Sequence, residues 1–193
     1  NFLSRYQTKP SSKLVIACNR VITYLKGTAN FKLKFTACEP KLLTAFVDAD
    51  LAGDTSDYKS TSGLILFLFG SPIVWRAKKQ NCVAVSSGES EYVALSQCVC
   101  EVRAIRNLLS VLGFPLPPTL VLCDSTAAAG MAKTPETSKT RHINLCFHNT
   151  RNAWSNREID IVKVDGKINL ADAFTKPLPA KKLGDCFQLL FDR

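Results

Sequence analysis

The chain has 193 residues, 46% of them apolar in type, enough to bury one sizeable core with a short appended segment. No run approaches the roughly 18–20 consecutive apolar residues of a membrane span, so a soluble protein without a membrane partner is expected. The net charge of +9 favours a polyanionic partner, although the eight Lys and Arg set against Glu39 alone in residues 1–43 fit a solvated helix face equally well.

The chain opens at Asn1-Phe2-Leu3-Ser4 with neither an initiator Met nor a charged-then-apolar leader, as a fragment or processed product would. Residues 12–26 repeat apolar positions at helical spacing, with Ser11 or Ser12 to cap and Gly27 to stop, and a strand is predicted at 31–35. Strand-like runs follow at 42–48, 64–69 and 73–75. Residues 54–62 and Gly70-Ser71-Pro72 separate them as turns, which predicts an antiparallel meander.

The longest helix is predicted from Ser87 to about Leu112. Ser86 and Glu89 fit a capping box, and Tyr92, Leu95, Val99, Ile105, Leu108 and Leu109 supply the apolar stripe. A short strand at 120–123 lacks alternation and reads as buried on both faces, like a central parallel strand. Helices at 125–132 and 143–155, a strand at 159–164, a helix from Leu170 to before Pro177 and an amphipathic helix at 181–190 complete the chain. A meander followed by crossovers implies an α/β fold, a mixed sheet flanked by helices.

Eight cysteines show neither a disulfide framework nor a C-x-x-C pair and mostly lie in apolar runs. They are expected to be buried, reduced thiols of an intracellular protein. His142, Cys146 and His148 can share a helical face, but no complete zinc set accompanies them.

Four acidic residues stand where a folded chain rarely places charge without a reason. Asp48 ends the apolar run Ala45-Phe46-Val47, and Asp124 ends Val121-Leu122-Cys123. Glu91 lies in the first turns of the long helix, and Asp172 starts a helix between Ala171 and Ala173. Each alone reads as an N-cap or strand-end turn. If the Asp48 and Asp124 strands are neighbours, however, their carboxylates meet at one sheet edge, with Glu91 and Asp172 in reach. Clustered carboxylates repel and are costly to bury unless a cation neutralises them, and hard oxygen donors suit Mg²⁺ or Mn²⁺. Two such ions about 3.5–4 Å apart would serve in-line attack on a phosphodiester. A calcium loop starting at Asp48 fails, with Ala52 at its fifth position and Lys59 at its twelfth. A nucleophilic Ser87 lacks a G-x-S-x-G setting.

In this order the motifs resemble the ribonuclease H region of copia-type LTR-retrotransposon Pol polyproteins. The resemblance rests on residues 46–54, on Lys59-Ser60-Thr61-Ser62-Gly63, on Trp75 with Lys78-Lys79-Gln80, and on residues 85–95 and 170–178. Upstream, Ser4-Arg5-Tyr6, Lys9-Pro10 and residues 24–28 are similar to the segment joining reverse transcriptase to this domain, so the likeness covers about residues 3–180. It implies a ribonuclease H-like, mixed five-stranded sheet, with a joining segment at 1–40, the nuclease at 41–180 and a helical tail at 181–193. Carried over residue by residue, the catalytic and metal-binding acids it implies are Asp48, Glu91, Asp124 and Asp172, with two Mg²⁺ (or Mn²⁺) ions as cofactors. Glu91 is preferred to Glu89 because Glu91-Tyr92-Val93-Ala94-Leu95 aligns with the Glu-Leu-x-Ala-Leu pattern of such helices.

The implied activity is hydrolysis of the RNA strand of RNA–DNA hybrids during reverse transcription. The hybrid and the reverse transcriptase domain of the same polyprotein are the implied partners, in a cytoplasmic virus-like particle or the nucleus. Departures are Leu51 in place of a Trp, Ser125 in place of an Asn, Asn144 in place of an acid, and a loop at 165–169 without the His that many cellular enzymes carry. That loop leaves the proton shuttle open. It keeps alive an alternative, a catalytically inactive, domesticated remnant that binds nucleic acid or protein. An integrase or transposase of the same general fold fits less well, since the joining motifs precede the domain and Glu91 lies between the Asp positions.

Overall fold

The computed structural model of the chain describes residues 3–36, 42–133 and 144–192. A 3-10 turn (Leu3–Tyr6) leads into helix α1 (Ser12–Gly27) and the short strand β1 (Lys32–Leu33). Ser11 takes the N-cap position but makes no side-chain cap bond, and Thr28 closes the helix by donating its N–H to Tyr24 O. Helix α1 buries none of its residues and leaves Ile16, Ile22 and Leu25 about half exposed.

The meander consists of β2 (Leu43–Asp50), β3 (Thr61–Leu68) and β4 (Ser71–Lys79), all antiparallel. These strands outrun the predicted spans because the ladders continue past the apolar residues, through the pairs Asp50↔Thr61 and Thr61↔Lys79. The hairpin turn lies one residue earlier than Gly70-Ser71-Pro72 suggests. Phe69 (φ 53°) and Gly70 (φ 83°) both adopt left-handed backbone, as a two-residue turn matching the strand twist requires. Pro72 thus enters β4, the sheet edge, where a missing N–H is tolerated.

Helix α2 (Ser87–Val111) crosses to β5 (Thr119–Cys123), which runs parallel to β2. Helices α3 (Thr126–Lys133) and α4 (Asn144–Ser155) lead to β6 (Ile159–Lys163), parallel to β5. The five-stranded mixed sheet has the order β4-β3-β2-β5-β6. Two short helices follow, α5 (Asp172–Thr175) and α6 (Ala180–Leu190), then β7 (Phe191–Asp192), which pairs antiparallel with β1. The predicted strand at 31–35 is short because its partner is this two-residue tail, supported by the Phe31–Phe191 ring contact at 6.1 Å.

The core lies between α2 and the sheet. Tyr92, Leu95, Val99 and Val102 pack with Leu43, Ala45 and Val47 of β2, Leu64 and Leu66 of β3, and Val121 of β5. Full burial of one such large side chain contributes about 1.5–3 kcal/mol. Of the predicted stripe, Leu108 departs and is exposed. Strand β5 alternates, with Thr119, Val121 and Cys123 buried and Leu120 and Leu122 half-buried, so its two faces are covered unequally.

The thiols divide in the same way. Cys98, Cys123 and Cys186 are buried, whereas Cys18, Cys82 and Cys100 are exposed, which corrects the expectation that the cysteines lie mostly inside; all six are free. His142 and the side chain of Cys146 lie outside the described residues. Among the described residues no helix is long and apolar enough to cross a membrane.

Candidate active site

Asp48 sits on β2, the middle strand, between β3 and β5, and its side chain is buried. The strand runs two residues past it, so Asp48 belongs to the ladder rather than ending it. Asp124 follows the last residue of β5, and parallel pairing of Phe46 with Leu122 brings the two carboxylates to the same edge. Asp172 opens α5 and is also buried. One carboxylate oxygen from each of Asp48, Asp124 and Asp172 lies within 4.8 Å of the others.

Local packing explains how Asp172 arrives there. Asn169, fully buried, donates from Nδ2 to Val47 O at 3.0 Å and accepts from the Ala171 N–H at 3.1 Å, fixing the approach to α5 on β2. Gly63 pairs with Asp48 across the ladder. A Cβ there would lie 2.8 Å from Ala171 O and 2.6 Å from Thr175 Cγ2, so only a glycine lets α5 settle over Asp48. Thr175 then donates its hydroxyl to Asp48 Oδ2.

Glu91 is placed by α2. Ser86 caps that helix by accepting from the Glu89 N–H at 3.2 Å, while Glu89 Oε2 accepts from the Val85 N–H at 2.9 Å. Glu89 is therefore occupied in capping, as its spacing predicts, and Glu91 faces the aspartates. Its Oε2 is buried and has no hydrogen-bond partner. Burial first, and then the charges of Asp48 and Asp124, push the Glu91 carboxyl up to about 8. Of the four predicted acids, three converge, and the fourth, Glu91, feels the charges of Asp48 and Asp124.

Two ammonium groups also enter the site. Lys182, from α6, donates to Gly166 O at 2.7 Å and to Asp172 Oδ2. Lys176 Nζ lies 2.9 Å from Asp172 Oδ1 and 3.6 Å from Asp48 Oδ2. It is ion-paired to Asp172 and lies close to Asp48 as well. Burial works against the Asp172 carboxylate, but Lys182 and Lys176 outweigh it and hold the group below the usual range. Asp48 moves the other way, raised chiefly by burial and by its neighbour Asp172, against the pull of Thr175 and Lys176.

Sequence reasoning assigned no role to Lys176, although it belongs to the 170–178 motif, and Lys182 on an amphipathic helix carries no local signal at all. The oxygen-only donor set, with the buried Glu91 Oε2 lacking a hydrogen-bond partner, fits a hard divalent cation.

No protein-family model matches the chain. It is 38% identical over 180 residues to the retrovirus-related Pol polyprotein from transposon RE2 of Arabidopsis thaliana, covering 92% of this chain and 12% of that protein. Against the corresponding polyprotein from transposon TNT 1-94 of Nicotiana tabacum it is 31% identical over 189 residues, 97% of this chain and 14% of the other. The chain thus spans about an eighth of the length of these relatives. Among solved structures, LC11-RNase H1 superposes with a TM-score of 0.55 at 14% identity, over 70% of this chain and 93% of that one. The same enzyme in complex with an RNA/DNA hybrid gives 0.53 at 13% identity, over 69% and 93% of the two chains. At such identities the likeness is one of fold, a ribonuclease H fold.

Proposed function

Because the chain belongs with the retrovirus-related Pol polyproteins of transposons and has the ribonuclease H fold, we propose that it is a nuclease hydrolysing the RNA strand of RNA–DNA hybrids. The observation that carries this reading is the convergence of Asp48, Asp124 and Asp172 within 4.8 Å, with the unpaired Glu91 oxygen beside them. These four residues would hold two Mg²⁺ or Mn²⁺ ions. When bound, the ions would activate a water and stabilise the leaving oxygen of the scissile phosphodiester.

The chain's own residues prepare that chemistry. Thr175 orients Asp48, Asn169 and Gly63 fix Asp172, and the Ser86 cap sets the first turns of α2 that carry Glu91. Hybrid contacts would come from Lys and Arg on phosphates and from groups reading the RNA 2′-hydroxyls. The RNA/DNA hybrid bound by LC11-RNase H1 supports this substrate class. We assign residues 1–40 to the segment joining a reverse transcriptase domain, 41–180 to the nuclease and 181–193 to a tail, in a copia-type polyprotein working inside the cell.

The test is a cleavage assay on hybrid, duplex DNA and single-stranded RNA, with and without Mg²⁺. Metal-dependent cutting of the hybrid alone is expected, abolished by Asp48→Asn and by Asp124→Asn. Cleavage that survives both substitutions overturns the proposal. A binding-only remnant is favoured by the loop at 165–169, which has no His, and it predicts tight hybrid binding with no product at any metal concentration.

A further inference from the structure

We infer that the Lys176 ammonium is the resident counter-cation of the carboxylate cluster and competes with a divalent ion for it, leaving as the site loads. The inference rests on reading that cluster as a metal centre. Lys176 follows Asp172 by four residues and caps the C-terminus of α5 in extended conformation, which turns its side chain back over the aspartates. Its Nζ stands 2.9 Å from Asp172 Oδ1 and 3.6 Å from Asp48 Oδ2, and its charge reaches Glu91 and Asp124 as well. Asp48 and Asp172 therefore share one ammonium.

The manner of contact is informative. Lys182 hydrogen-bonds a backbone carbonyl and Asp172 Oδ2, so it is tied to two fixed points. Among the described residues Lys176 is held by the carboxylates alone, paired with Asp172 Oδ1 at 2.9 Å and reaching Asp48 Oδ2 at 3.6 Å, with no backbone anchor. Its side chain is 41% exposed, against 24% for Lys182, so it has water to move into. A divalent ion on the same oxygens would meet this ammonium at a few ångströms. Like charges that close repel strongly at a partly buried site, so one of the two has to go.

The experiment measures Mn²⁺ binding to the whole chain by titration calorimetry, at fixed pH and ionic strength. Lys176→Met is expected to bind Mn²⁺ about tenfold more tightly than the unsubstituted chain, since it removes the competing charge. Lys176→Arg, which keeps the charge, is expected to bind within about threefold of it, and so is Lys13→Met, which removes the same net charge from α1. Unchanged or weaker binding in Lys176→Met overturns the inference while leaving the metal reading intact. Absence of Mn²⁺ binding in every form removes the metal reading and this inference with it. A second measurement needs no altered binding site. The Lys176 side-chain nitrogen resonance, assigned by its loss in Lys176→Arg, is expected to move towards that of a solvated lysine as Mg²⁺ is added. A signal unmoved at saturating Mg²⁺ overturns the inference.

Discussion

Replacing Glu91 with Gln separates what the site costs the fold from what it gives to chemistry. In the folded chain the Glu91 carboxyl titrates at about 8, against an ordinary value of 4.5. The folded form therefore keeps a proton that the unfolded chain has already lost between those two values. A group raised in this way makes stability fall as pH rises from about 4.5 to 8, with no contribution below that window. Each pK unit corresponds to about 1.36 kcal/mol, so the full penalty above pH 8 approaches 5 kcal/mol, and roughly 3 kcal/mol is in place at pH 7. Water entry and side-chain relaxation reduce such figures, and a gain of about 2–4 kcal/mol for Glu91→Gln at pH 8 is the expected size.

The assay is urea unfolding in the presence of a chelator, from pH 4 to pH 8.5. Glu91→Gln should match the unsubstituted chain at pH 4, exceed it at pH 8, and show a flatter pH dependence between. Added Mg²⁺ should then reverse the order, because only the intact acid set gains from the ion. Equal stability at pH 8, with parallel pH profiles in chelator, would refute the reasoning.

Three further outcomes follow from the packing. Gly63→Ala drives a methyl group into Ala171 O and Thr175, so a loss of about 1–3 kcal/mol in chemical denaturation is expected, together with weaker Mn²⁺ binding as α5 is displaced. Arg103 bonds Glu158, Asn149 and Asn152 at once, at 2.7, 2.8 and 2.6 Å. Arg103→Ala is expected to lower thermal stability by about 1–3 kcal/mol by uncoupling α4 from α2. Among the described thiols, a chromogenic disulfide reagent should modify Cys18, Cys82 and Cys100 in the native protein, while Cys98, Cys123 and Cys186 react only after unfolding. Peptide mapping by mass spectrometry reads the pattern, and rapid labelling of Cys98 would contradict the burial.

The large sheet and α2 were legible because their signals are local. Apolar runs bounded by turn residues marked β2 and β3, and Tyr92, Leu95 and Val99 marked the buried face of α2. Asp48 and Asp124 stood out as charges closing apolar runs, and parallel pairing of two strands was enough to join them. Asp172 stood out as a charge between two alanines at a helix start, whereas the choice of Glu91 over Glu89 depended on the family resemblance, with the capping geometry of Ser86 and Glu89 agreeing afterwards. What stayed hidden was non-local. The strand at 31–35 was expected, but its partner β7 was not, since two residues at the chain's end carry no pattern of their own. Asn169, Gly63 and Lys182 act across more than one element, and nothing in their neighbours' spacing reveals the contact. The position of the β3–β4 turn was missed because Phe69 takes a left-handed backbone that few large residues adopt.

Every strand of the five-stranded sheet is complete by Lys163, whereas Asp172, Thr175, Lys176 and Lys182 all come later. A premature stop falling between these two stretches would leave the whole β-scaffold encoded while deleting one acid and both ammonium groups. A copy shortened in this way would keep the sequence of every sheet strand without the complete candidate site, so a recognisable scaffold would be a poor witness of the proposed chemistry.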